Sequence, residues 1–474
     1  MWYSGLNNKN LWKIFNDISR IPRESGNEEG IRSFLLSWAE AHKLKAVTDK
    51  IGNGIIYCPA TKGMENLPCI ALQGHMDMVC VKTSRSKHDF EKDPISIYID
   101  GPVIRAKGTS LGADYGIAVA MILDIFSDKD AVHGPLEGIF TVSEETGMDG
   151  ANNLDPSLID ARRMINLDSE EEDIIYIGCA GGIEVDASMK CRWTEPSGEA
   201  VKVEVSGLLG GHSGAEIHKE RANAIKVLAR YLRRLPVFQL ASIEGGTKRN
   251  VIPSEASAVI TVPDKAAAES IAKNLLDELK NELKDSDPGA TLSITGTEMP
   301  EKVIKRKASA AVADALFAAP HGVGCMNTAI NVVETSDNLA IVSMNDEKIS
   351  VVFSVRSTID SKKFLRAEEI QTIMESFGFK TKLTGSYPAW EPSLDPSFRK
   401  EVAKAYKAIS GVKPGVTIMH AGLECGIINS LIPGMDSISI GPELHGVHSI
   451  NENLNIASAE RVADIVKKML PSLK

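Results

Sequence analysis

Five short segments set a histidine or carboxylates beside an apolar run, four of them with glycine close by. They are Gly74-His75-Met76-Asp77, Leu111-Gly112-Ala113-Asp114-Tyr115-Gly116, Ser143-Glu144-Glu145-Thr146-Gly147, Asn166-Leu167-Asp168-Ser169-Glu170 and His445-Gly446-Val447-His448-Ser449. Residues two apart on a strand share a face, so Asp77 can hold the imidazole of His75 while that ring binds a metal. Asp114 precedes an apolar helical run, and its plainer reading is a helix cap. Glu144 and Glu145 are adjacent carboxylates, which repel unless cations sit nearby. Being adjacent they also point differently, so one can bind metal while the other faces a substrate. Read singly, these segments are a strand-end histidine beside a surface aspartate, a cap and acidic loops; Glu170–Asp173 reads as a solvated loop. Read together, two histidines and three carboxylates at strand ends suit a two-metal site with one bridging carboxylate and a free glutamate as base.

The elements that must position them follow from periodicity. Residues 8–42 carry two helices, with Leu11, Ile14, Phe15 and Ile18, then Ile31, Leu35 and Trp38, at helical spacing. Apolar strands at 68–78, 136–145 and 162–170 alternate with a buried helix at 117–126, and each strand runs into polar residues. That pattern is an α/β fold, doubly wound, whose sites lie at strand C-termini. From about residue 184 the texture changes to half-exposed alternating strands with amphipathic helices near 220–234, 264–284 and 359–377. After about 386 the α/β texture returns. The expected organisation is a discontinuous catalytic domain, 1–183 and 386–474, around a mixed sheet, with an inserted α+β lid and dimerisation domain at 184–385 that holds up to two similar lobes.

A length of 474 residues suits two domains, and the net charge of −10 argues against a nucleic-acid partner. No apolar run reaches membrane length, and the N-terminus lacks the pattern of a signal peptide. Seven scattered cysteines without a Cys-x-x-Cys pair suggest free thiols in a reducing compartment, the cytoplasm.

The motifs GHMDMV, SLGADYGI, SEETGMDG, NLDSE, GCAGG, GGHSGAEIH, HAGLECG and a late GP…HS occur in an order that resembles the clan of co-catalytic zinc peptidases containing carboxypeptidase G, aminoacylase and carnosinase. Within the clan the chain is most similar to the bacterial aminoacyl-histidine dipeptidases, over nearly its whole length. The resemblance implies two divalent ions, Zn2+ with Co2+ or Mn2+ as substitutes. His75 and Asp168 would bind one, Glu145 and His448 the other, and Asp114 would bridge them. Glu144 would be the general base and Asp77 would orient His75. The family reads His-Ser-Pro after its last ligand, whereas this chain reads His448-Ser449-Ile450, so His445 stands as the alternative ligand. A cis Asp114–Tyr115 peptide is implied as well. His212 resembles a lid histidine that contacts the scissile carbonyl. Asn250, Arg356, Gly422 and Glu424 look like substrate-binding positions; an arginine fork suits a substrate carboxylate, though a surface arginine is the plainer reading.

The implied activity is hydrolysis of dipeptides, Xaa-His dipeptides among them, by a homodimer in which a hydroxide shared by the metals attacks and Glu144 carries the proton. The alternatives within the clan are a broader dipeptidase or aminotripeptidase and an N-acyl amino acid amidohydrolase. Outside it, Gly108-Thr109-Ser110-Leu111-Gly112 fits a serine-hydrolase motif, although no strand directly precedes Ser110. A non-catalytic binding module is the other rival, and the presence of Glu144 argues against it.

Overall fold

All six residues of strand Ile70–His75, and all six of Leu136–Thr141, are buried, as a strand covered on both faces requires. The computed structural model describes residues 1–474. The chain folds as two units, one of Met1–Cys179, Trp390–Ile418 and Leu423–Lys474, the other of Ala180–Ala389 with Met419–Gly422.

The first unit is built on an eight-stranded mixed sheet. Its centre is four parallel strands in the order Leu136–Thr141, Ile70–His75, Arg163–Asn166 and Asp436–Ser439. Register aligns His75 with Thr141 and Gln73 with Asn166, so these strands end together. The core includes Trp12, Phe15, Ile31 and Leu35 from the first two helices, Lys9–Ile18 and Glu29–Ala41. Helix Ala113–Ser127 is apolar nearly all round and buried as far as Phe126, which suits a helix packed between sheet and neighbouring helices. A four-stranded antiparallel sheet, Leu444–His445, Asn453–Asn455, Val103–Ala106 and Ile97–Asp100, carries the turn that bears His448.

The buried helix approaches the central strand closely. A Cβ added at Gly74 would lie 2.8 Å from the Cβ of Ala118. Gly74→Ala therefore forces strand and helix apart, and overpacking of this kind costs roughly 1–3 kcal/mol. A lowered urea midpoint is expected; an unchanged one would mean that the contact is not tight.

The second unit is a nine-stranded sheet with antiparallel pairing throughout. Strand Lys348–Ser357 alternates buried and half-exposed residues, so one face of it meets the core. Helices Ala224–Arg234, Lys265–Glu282, Arg306–Ala318 and Asp360–Ser376 contribute to that core. The chain has no disulfide, and no helix is long and apolar enough to cross a membrane.

Candidate metal centre and active site

The aligned strand ends deliver most of the site. His75 is the last residue of its strand, and Asp168 lies just past Arg163–Asn166. Glu144 and Glu145 open a short helix after Leu136–Thr141, following Ser143 in a left-handed conformation. Asp114 sits at the start of the buried helix, where the Asp114–Tyr115 peptide is cis. It does not cap that helix. The N-cap is Gly112, at φ 68°, with no side-chain cap of its own.

The Asp114 carboxylate instead faces two histidines, one through each oxygen. Oδ1 is 3.5 Å from His75 Nε2, and Oδ2 is 2.8 Å from His448 Nε2. Asp168 Oδ1 completes the first group at 3.6 Å from His75 Nε2, and Glu145 Oε2 the second at 2.9 Å from His448 Nε2. The potential ligand atoms within each triad lie within 4.8 Å of one another. Ligands on a tetrahedral ion with bonds of about 2.0–2.1 Å stand about 3.3 Å apart, so both triads have the size of a metal site. The buried Glu145 Oε1 has no hydrogen-bond partner, which leaves it available to a cation. Nitrogen and carboxylate donors of this mixture fit Zn2+, with Co2+ or Mn2+ also accommodated.

Electrostatics point the same way. Burial disfavours a charged His75, yet the hydrogen bond to Asp114 and the charge of Asp168 hold its pKa well above the usual imidazole value. Hydrogen bonds to Asp114 and Glu145 push His448 up to about 11. Burial raises Glu144 well above the carboxylate range; His75 opposes the shift, and Glu145 and Glu424 add to it. Burial raises Asp168 in the same manner, against His75 and with Glu144. Two histidines do not neutralise so many carboxylates, and divalent cations would.

Asp77 ties the pieces together. Its Oδ1 is 3.3 Å from His75 Nδ1 and accepts the Glu144 backbone N–H at 3.1 Å. Its Oδ2 accepts from Glu145 N at 3.2 Å and from the Ser25 hydroxyl at 2.7 Å. One carboxylate thus lies beside an imidazole and fixes the turn bearing both glutamates. Glu144 comes within the same 4.8 Å grouping as His75 and Glu145, which puts its carboxylate beside the ligands.

His445 does not join them. It is 64% exposed and pairs with Glu443 at 3.2 Å, which leaves His448 as the histidine of the second triad. Ser110 is not a nucleophile, since it is fully buried and its hydroxyl donates to the Val79 carbonyl at 2.7 Å. Glu424 is fully buried and accepts from Gln73 Nε2 and Thr141 Oγ1, each at 2.6 Å. That placement braces the strand ends through Oε2, while the buried Oε1 has no hydrogen-bond partner.

The remaining candidates belong to the second unit. His212 Nδ1 accepts the backbone N–H groups of Gly214 and Ala215 at 3.2 and 3.0 Å, which places the ring proton on Nε2. Arg356 donates to the Tyr387 hydroxyl at 3.0 Å, and its Nε is buried without a partner. Asn250 is exposed, its carbonyl accepting from Ser213 N at 2.9 Å, and Gly422 is half-buried. Two groups at the metal centre escape sequence reading, Arg23 and Glu452. Their spacing from the ligand motifs gives no signal beyond the position of Glu452 four residues after His448.

Residues 71–472 match the peptidase family M20/M25/M40. The chain is 39% identical to the cytosol non-specific dipeptidase of Escherichia coli K12, over 99% of each chain. It superposes on the crystal structure of aminoacylhistidine dipeptidase from Vibrio alginolyticus with a TM-score of 0.89 and 34% identity, covering 99% of this chain and 98% of the other. The aminopeptidase PepT from Bacillus cereus shares the fold, with a TM-score of 0.58 and 17% identity over 99% of each chain.

Proposed function

The chain belongs to peptidase family M20/M25/M40, and on that footing we propose that it is a metal-dependent dipeptidase whose substrates include Xaa-His dipeptides. The observation that carries this reading is the Asp114 carboxylate, aimed with one oxygen at each of two histidine–carboxylate pairs. His75, Asp168 and Asp114 would hold one ion, and Asp114, Glu145 and His448 would hold the other. The ions, zinc in our reading, supply Lewis acidity and lower the pKa of water near neutrality.

Glu144 accepts a proton from the attacking water and later delivers it to the leaving amine nitrogen, so the amide C–N bond breaks to two amino acids. Asp77 keeps His75 and the Glu144 turn in place. The Nε2–H of His212 donates to the oxyanion of the tetrahedral intermediate. Arg356 pairs with the substrate carboxylate, and Asn250 and Gly422 contact the dipeptide. Glu424 acts as a brace beneath the ligands. We place the enzyme in the cytoplasm, in line with the compartment in the E. coli relative's name. A dipeptide panel tests the reading. Hydrolysis of Xaa-His and related dipeptides, abolished by a chelator and restored by Zn2+, is expected. Cleavage of N-acyl amino acids or tripeptides in preference to dipeptides would overturn it.

His212→Ala should lower kcat by roughly 10²–10³-fold with metal content intact, because an oxyanion donor acts in the transition state. We further propose a homodimer, with His212 supplied across subunits. Mixing Glu144→Gln with His212→Ala subunits should then restore part of the activity. No recovery despite proven subunit exchange would place His212 in its own chain's site.

A further inference from the structure

Four consecutive backbone N–H groups at the head of the buried helix converge on one side chain. Leu111 and Gly112 donate to Glu452 Oε2 at 2.7 and 3.0 Å, and Ala113 and Asp114 donate to Oε1 at 2.8 and 3.2 Å. Glu452 is 3% exposed. It does what the N-cap Gly112 cannot, satisfying the N–H groups of Ala113 and Asp114 at the kinked head of the helix as well as those of Leu111 and Gly112 before it. It also belongs to the turn that carries His448, where its own N–H donates to the Ser449 carbonyl at 3.3 Å.

A buried cation stands behind it. Arg23 is 2% exposed, and Glu452 is the strongest of the charges acting on it. Its Nη1 donates to the carbonyls of Met76 and Asp77 at 3.0 and 2.7 Å, and its Nη2 to that of Gly112. The glycines of the Asp114 motif make room for it. A Cβ at Gly112 or Gly116 would come within 2.6 or 2.7 Å of Arg23 Nη2.

We infer that Glu452, backed by Arg23, is the positioning residue that locks the Asp114 loop to the His448 turn and so sets the span of the bridging carboxylate. The inference rests on the ligand set proposed above. Arg23 joins the segment after His75 to the Asp114 loop, and Glu452 joins that loop to the turn after His448. The two therefore connect both halves of the metal centre without touching an ion. Glutamine at 452 keeps one acceptor oxygen and turns an NH2 group toward two backbone donors, so the grip on the loop is lost on one side.

The test is equilibrium dialysis of the full chain against a series of free Co2+ concentrations, for wild type, Glu452→Gln and His448→Ala. Wild type should take two ions. Glu452→Gln should keep one tight ion and bind the second roughly 10–100-fold more weakly, the usual effect of losing an outer support of a ligand. At saturating Co2+ its kcat should fall while KM for the dipeptide stays at the wild-type value, since Glu452 meets no substrate. Two ions at wild-type affinity in Glu452→Gln, with one weakened in His448→Ala, would overturn the positioning role. If His448→Ala also left binding intact, the ligand set itself would be wrong. Should Glu452→Gln fail to fold, Glu452→Asp carries the test: it keeps the charge on a shorter stem, so weakened second-ion binding is expected and wild-type affinity overturns the inference.

Discussion

Replacing Glu144 with glutamine will lower kcat by roughly 10²–10⁴-fold, the usual contribution of a positioned base, while both metal ions stay bound. Size and backbone contacts are preserved: the N–H of residue 144 still donates to Asp77, and Glu145 keeps its place in the turn. What is lost is the capacity to accept a proton. Burial and neighbouring carboxylates raise the pKa of Glu144 well above the ordinary range. A carboxylate in that setting holds a proton more readily than a free one, as a group that accepts and returns a proton must. Steady-state kinetics with metal analysis on the same sample check this. A near-normal rate would remove Glu144 from the role of base.

Asp114→Asn should cost a comparable amount by a different route. The amide oxygen can serve one ion, but its nitrogen cannot serve the other, so the bridge is broken without a change of shape. Losing one Lewis acid forfeits several kcal/mol of transition-state stabilisation, which at about 1.36 kcal/mol per decade is on the order of 10³-fold or more in kcat/KM. Bound metal, measured by mass spectrometry after dialysis, should fall from two ions to one. Two retained ions with small kinetic loss would show that Asp114 is not shared.

Several of these residues stand out as candidates because their motifs are local, while their roles are implied by the resemblance of the motifs taken in order. His75 with Asp77, and Glu144 with Glu145, sit within single short motifs at the ends of clearly apolar strands, and the long amphipathic helices announce themselves by period. Other features are set by distant contacts. Glu452 lies 338 positions from Asp114 in the chain, and no spacing connects them. Asp114 looks like a cap in sequence because it precedes the helix, whereas a remote carboxylate binds the N–H groups there. The motif favours His448 and leaves His445 as the alternative, and the turn's geometry sends His445 to Glu443 and His448 to Asp114. Helix Arg306–Ala318 is rich in alanine, which favours helix but blurs the apolar stripe that marks one. Glu424 sits in a segment that resembles pocket lining, and its burial depends on Gln73 and Thr141 from two other strands.

The central claim is that one carboxylate joins two ions. A crystal grown with Zn2+ and measured at the zinc absorption edge tests it most directly. Two anomalous peaks roughly 3.5–4 Å apart are expected, one bound by His75, Asp168 and an oxygen of Asp114, the other by Glu145, His448 and the second oxygen of Asp114. A single peak, with the Asp114 carboxylate bound to no ion, would contradict it.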